Sequence, residues 1–193
     1  MDKKLIIGAI FVLLTTIIYG VVTAEDIDQI GHRYFLVPDV DSMMAYGDSH
    51  CGPDKSFASN RLALKWYQKA ADKGNATAMV RMGTIYREGW SDEESYWKAI
   101  NYYQDAIGVD SMNIEALTEA GGTFGLKAGN YEIGHSYLDT ALEIDSTYLD
   151  ALWYKVLLYD QQDNVILMSK TLQKIRDIDS TFLERKLKEK NNE

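Results

Sequence analysis

A histidine and a cysteine adjoin once in this chain, at His50-Cys51, with Asp48 just upstream. Thiol, imidazole and carboxylate are the parts of a nucleophilic site, where a neighbouring base lowers the thiol pKa and an acid orients the base. Adjacency in sequence does not supply that geometry, so the trio is read as structural. His32 and His135 lie far from it in sequence and are read as structural or neutral, with His135 exposed. Gly121-Gly122 is the nearest approach to a glycine motif, but it falls inside a helical pattern, where glycine usually has a packing reason. The chain has no phosphate loop, no His-Glu-x-x-His, no Gly-x-Ser-x-Gly and no calcium-loop spacing. The lone cysteine excludes a disulfide framework, and with three histidines it makes no structural zinc site. The expectation is a non-enzymatic chain with no cofactor and no metal.

The elements must then carry the function. Of 193 residues, 46% are hydrophobic and 25% charged, which is the composition of a folded chain. A net charge of −9 opposes nucleic-acid binding, which draws its affinity from Lys and Arg on phosphates. Two prolines leave long helices uninterrupted. Residues 1–24 form a segment of their own. Lys3 and Lys4 precede an uncharged run from Leu5 to Val22, and Val22-Thr23-Ala24 ends in the small-x-small manner of a cleavage site. A cleaved signal peptide and an uncleaved membrane anchor both fit, because 18 uncharged residues sit at the lower edge of a spanning helix. Either way the rest is exported, to the periplasm or beyond, or held at the membrane by residues 1–24 alone.

The remaining sequence repeats. Val109-Asp110-Ser111, Ile144-Asp145-Ser146 and Ile178-Asp179-Ser180 are 35 and then 34 residues apart. Ala70, Ala106, Ala141 and Ile175 keep step at 36, 35 and 34, with Ala63, Ala99 and Gly134 seven residues before the first three. Each unit divides into two amphipathic helices. Over Ala76 to Glu88, the residues Ala78, Met79, Met82, Ile85 and Tyr86 recur at spacings of three and four, and Gly89 ends the helix. A broader stripe follows from Tyr96 to Ile107. Ser111, Ser146 and Ser180 are placed to cap the helices that follow. The small residues Gly47, Gly83 and Gly121 let paired helices approach closely. Trp66, Tyr67, Tyr102, Tyr103 and Tyr137 are expected to pack between units.

Ala116-Leu117, Ala120-Gly121, Phe124, Gly129-Asn130-Tyr131, Gly134, Tyr137-Leu138 and Ala141-Leu142 resemble the tetratricopeptide repeat pattern. The stretch carrying Ala63, Leu64, Trp66-Tyr67, Ala70-Ala71, Gly74-Asn75, Ala78, Met82-Gly83 and Tyr86 is similar to the Sel-one-like subclass, whose units run slightly longer. Serine stands where the family ends its units with proline, and Lys155-Val156 where a large apolar residue and glycine are usual. The resemblance implies an all-α fold, a right-handed α-solenoid of about four helix-turn-helix repeats. Its bounds are 25–38 for an N-terminal tether or cap, 39–181 for the repeats and 182–193 for a C-terminal cap helix and tail.

The family's concave groove, carried across residue by residue, gives Asp41, Met44 and Asp48 in the first unit and Thr77, Val80, Thr84, Arg87 and Glu88 in the second. The third contributes Glu115, Thr118, Gly122 and Leu126, and the fourth Asp150, Trp153, Leu157, Asp160 and Gln161. Acids dominate this set, so the resemblance implies a protein-protein interaction module that lays a peptide or helix of basic or mixed charge in the groove, and residues 1–24 imply that it is exported. The alternatives are an envelope enzyme or enzyme inhibitor of the secreted Sel-one-like type, whose paired cysteines this chain lacks, and a membrane-anchored assembly subunit.

Overall fold

A computed structural model describes residues 39–51, 57–89 and 93–191. The leader of residues 1–24 and the tether of 25–38 lie outside the described residues. Of the first compact unit, residues 1–42, only the last four residues are described; there Asp39 accepts a 2.7 Å hydrogen bond from the Ser42 backbone N–H. Residues from Met43 onward form the second unit.

The described residues fold into helices joined by short turns: α1 (Val40–His50), α2 (Phe57–Ala71), α3 (Ala76–Gly89), α4 (Glu93–Val109), α5 (Ile114–Leu126), α6 (Tyr131–Ile144), α7 (Leu149–Gln161), α8 (Val165–Ile178) and α9 (Phe182–Asn191). The odd-numbered α3, α5 and α7 are the first helices of successive pairs, and α4, α6 and α8 the second. Each second helix packs on its own first helix and on the next one, and α3, α5 and α7 touch in series. The result is the expected all-α solenoid. Among the described residues no helix is long and apolar enough to cross a membrane.

Asparagine starts four of these helices. Asn75, Asn113, Asn130 and Asn164 each accept from the backbone N–H three residues on, at 2.7 to 3.1 Å, satisfying a donor that has no partner within the helix. The serines expected to cap do not. At the unit junctions the preceding aspartates brace the turn without capping the helix, Asp110 accepting from the Met112 N–H, Asp145 from Thr147 and Asp179 from Thr181. The following helices begin at Ile114, Leu149 and Phe182, two or three residues beyond the serines, out of reach of a short hydroxyl. A carboxylate one position earlier spans the turn.

The core runs along the stack rather than inside any one pair, since a lone pair cannot cover its own apolar face. Val80, Ala99, Tyr103, Ala106, Ala116 and Ala120 share one cluster; Leu117, Leu138, Ala141, Ala151 and Leu158 continue it; Leu152, Val156, Ile175 and Phe182 close it under α9. Burying side chains such as Leu138 or Ile175 contributes about 2 kcal/mol each. Small residues set how near the helices come. A Cβ on Gly83 would lie 2.5 Å from the Tyr103 ring, and Gly47 stands in the same relation to Tyr67; both tyrosines are fully buried against a neighbouring backbone.

Candidate functional site

The first helices α3, α5 and α7 carry the residues that sequence reasoning assigns to a groove. Their mutual register is set by side chains that meet one repeat period apart. Arg81 on α3 donates to Glu115 on α5 at 3.1 Å, with both side chains about two-fifths exposed. Asp150 on α7 pairs with Lys186 on α9 at 3.4 Å. Glu115 and Asp150 occupy equivalent places in successive units, but their bases come from opposite directions, Arg81 from the preceding unit and Lys186 from the terminal helix that follows.

A second cluster lies deeper. Arg87 on α3 donates to the Glu119 carboxylate on α5 and contacts the Tyr154 hydroxyl on α7, and that hydroxyl donates to the same carboxylate at 3.1 Å. The guanidinium and carboxylate keep only 15% and 19% of their side-chain surface. The Tyr154 ring lies on Gly122, where a Cβ would come within 2.5 Å. Burial pushes the Glu119 carboxyl above its ordinary value, and the neighbouring Arg87 charge pulls it partly back. Burial opposes the Arg87 charge, but Tyr154 and Glu119 outweigh it and hold the guanidinium protonated. The Tyr154 hydroxyl is held protonated by burial and by the Glu119 charge. This cluster spans three units, and sequence reasoning named only Arg87 of its members.

The residues assigned to the groove fall into three groups. Thr77, Glu88, Asp160 and Gln161 are exposed, and Thr84, Glu115, Leu126, Asp150 and Leu157 are half-buried with surface to offer. Val80 and Thr118 are corrections to the expectation. They are 0% and 1% exposed: Val80 is packed among Ala99, Tyr103 and Ala106 of α4 and Ala116 and Ala120 of α5, so these places belong to the core. Gly122 is covered by Tyr154. Trp153 is partly buried, edge-on to the Phe182 ring of α9 at 6.4 Å, so the terminal helix takes up much of its surface. The expected excess of acid on this face is also reduced: Arg81 and Lys186, both off the sequence-derived set, neutralise Glu115 and Asp150, and Arg87 pairs with Glu88 at 2.8 Å.

His50 and Cys51 do not form a couple. The imidazole Nδ1 sits 2.9 Å from the Tyr46 carbonyl and the Ser49 hydroxyl. Burial pushes the Cys51 thiol up, away from the thiolate a nucleophile needs, with a hydrogen bond involving Tyr67 partly opposing. Asp48 accepts from the Tyr67 hydroxyl at 2.7 Å. His135 is half-buried rather than exposed, stacked on Tyr159 at 4.8 Å and bonded to Gln162. Among the described residues no group of three or more His, Cys, Asp and Glu is arranged to hold a metal.

No protein-family model matches the sequence, and no curated protein matches it. The crystal structure of MamA protein does match in three dimensions, with a TM-score of 0.59 over 75% of each chain at 19% sequence identity. MamA contains tetratricopeptide repeats. The fold is a tetratricopeptide-type solenoid. At that level of identity the likeness to MamA concerns the course of the helices. The contacts described above belong to this chain.

Proposed function

We propose that this protein is a protein-protein interaction module that receives a peptide or helix of basic or mixed charge along the exposed row of its first helices. The observation that carries this reading is that two acids at equivalent places on successive units, Glu115 and Asp150, each stand in a partly exposed ion pair, with Arg81 and Lys186. Partly exposed pairs are worth at most about 1 kcal/mol, so a partner's lysine or arginine exchanges with the internal base at little cost. Thr77, Thr84 and Gln161 add hydrogen-bonding groups, and Leu126 and Leu157 add apolar surface. The buried Arg87–Glu119–Tyr154 cluster beneath keeps the three helices in register, so the surface is formed before the partner arrives.

The test is a titration of a labelled lysine-containing peptide against the full chain and against Glu115→Lys/Asp150→Lys/Asp160→Lys. The reading requires saturable binding that weakens as salt rises and is lost in the triple variant. Binding unchanged by the three reversals removes the assignment of the face.

The first two units, spaced at 36 residues, both lay a tyrosine on a glycine, Tyr67 on Gly47 and Tyr103 on Gly83. The third sets Leu138 and Gly134 against Gly121. This change of contact supports a mixture of Sel-one-like and tetratricopeptide units. Residues 1–24 are proposed to export the chain. An intact mass below 21.9 kDa by the weight of the leader would indicate a cleaved signal, and the full mass an anchor.

A further inference from the structure

In the second and third units an aromatic pair closes the space beside the second helix. Tyr86 of α3 stacks on Tyr102 of α4 with centroids 5.5 Å apart, and Phe124 of α5 stacks on Tyr137 of α6 at 5.6 Å. Tyr137 also reaches back to the preceding second helix, its hydroxyl accepting from Gln104 of α4 at 3.2 Å. In the fourth unit Tyr159 of α7 occupies the place of Phe124, 35 residues on. The place of Tyr137, 34 residues on, holds Thr171 of α8, whose hydroxyl donates to the Leu167 carbonyl of its own helix. Tyr159 stacks on His135 instead.

Where the second ring is missing the molecule has a cleft of about 460 Å³, bordered by α6, α7 and α8. Leu142 and Leu167 give it apolar walls, and Lys170 and Lys174 stand on one side. Lys155 lies within it and is already paired with Asp139. Lys170 and Lys174 enter no ion pair among the described residues, and Glu143 is the one remaining acid in the lining. The cleft thus sets two exposed lysines beside a partly apolar opening with room for an aromatic side chain and its flanking residues.

We propose that this cleft binds an acidic peptide segment bearing an aromatic residue. The ring takes the place that Tyr137 fills one unit earlier, against Tyr159 and the two leucines, and flanking carboxylates meet Lys170 and Lys174. The site shares no residue with the first-helix row and takes the opposite charge, so its success or failure is independent of the reading above.

Two labelled peptides test it by fluorescence anisotropy on the full chain, one with a phenylalanine between glutamates and one with the same phenylalanine between lysines. The acidic peptide should bind saturably and the lysine peptide should not compete at this site. Thr171→Trp, which fills the gap, and Lys170→Glu/Lys174→Glu, which reverses exposed charges without touching the core, should each weaken the acidic peptide roughly tenfold. Glu115→Lys/Asp150→Lys should leave it unchanged. No saturable binding of the acidic peptide, or binding indifferent to both the Thr171 and the lysine variants, overturns the proposal.

Discussion

Arg87 on α3 and Glu119 on α5 form an ion pair across the seam between two repeat units, with the Tyr154 hydroxyl from a third unit donating to the same carboxylate. Three successive units thereby share one polar contact, in a fold whose units otherwise meet only their neighbours. A largely desolvated pair of this kind adds little net stability compared with apolar residues of similar shape, but losing one partner strands the other. Glu119→Leu is therefore expected to cost about 3 kcal/mol, and Arg87→Met/Glu119→Leu together much less than the sum of the single changes. Tyr154→Phe, which removes one donor and keeps the ring on Gly122, is expected to cost about 1 kcal/mol. Urea unfolding of the four variants measures this. Additive single and double effects would mean that the two groups do not form a coupled pair.

Gly83 faces the Tyr103 ring with no room for a methyl group. Gly83→Ala adds volume to a filled contact, which costs about 1–3 kcal/mol and lowers the melting temperature of a chain this size by roughly 3–8 °C. Tyr103→Leu in the same background should return part of the loss by making room. An alanine variant that melts with wild type would show that the helices can separate here at no cost.

The repeat was legible because its small residues are spaced by sterics that sequence displays directly. Ala63, Ala99 and Gly134 keep their interval, and all three are buried. Tyr67 and Tyr103 were expected in the core and are fully buried, whereas Trp66, Tyr102 and Tyr137 are half-buried in stacks with rings of the first helices. The candidate face was less legible. Whether Val80 and Thr118 line a surface or a core depends on how the helices of neighbouring units pack around them, which periodicity along one helix does not encode. The partners of the acids could have been found, since Arg81 and Glu115 are opposite charges one repeat period apart, as are Asp150 and Lys186. The Arg87–Glu119–Tyr154 cluster could not, because it depends on the angle between three helices. The junction serines misled because the helices start beyond them.

Asp145 and Asp179 each accept from a threonine hydroxyl and its backbone N–H, and these bonds hold both carboxyls below the ordinary value of 3.8. A folded pKa below the unfolded one means stability that is complete above the unfolded value and lost as pH falls through the folded one. Glu119 works in the opposite sense: its folded pKa is raised above 4.5, so its contribution is complete below that value and declines as pH rises through the folded one. The melting temperature should fall as pH drops from about 4 towards 2, and Asp145→Ala/Asp179→Ala should start lower and fall less steeply. Parallel acid limbs in the two proteins would separate the junction bonds from acid sensitivity.

The affinity of a lysine-containing peptide for Arg81→Ala/Lys186→Ala tests the central claim most directly. Both substitutions remove a base that holds an acid on the first-helix row, and neither removes a group that the partner is proposed to contact. If Glu115 and Asp150 receive the partner's cations, freeing them should tighten binding by roughly threefold at low salt, with the gain disappearing as salt rises. Unchanged or weaker binding in the variant, or no saturable binding to the wild-type chain, would contradict the assignment of this face.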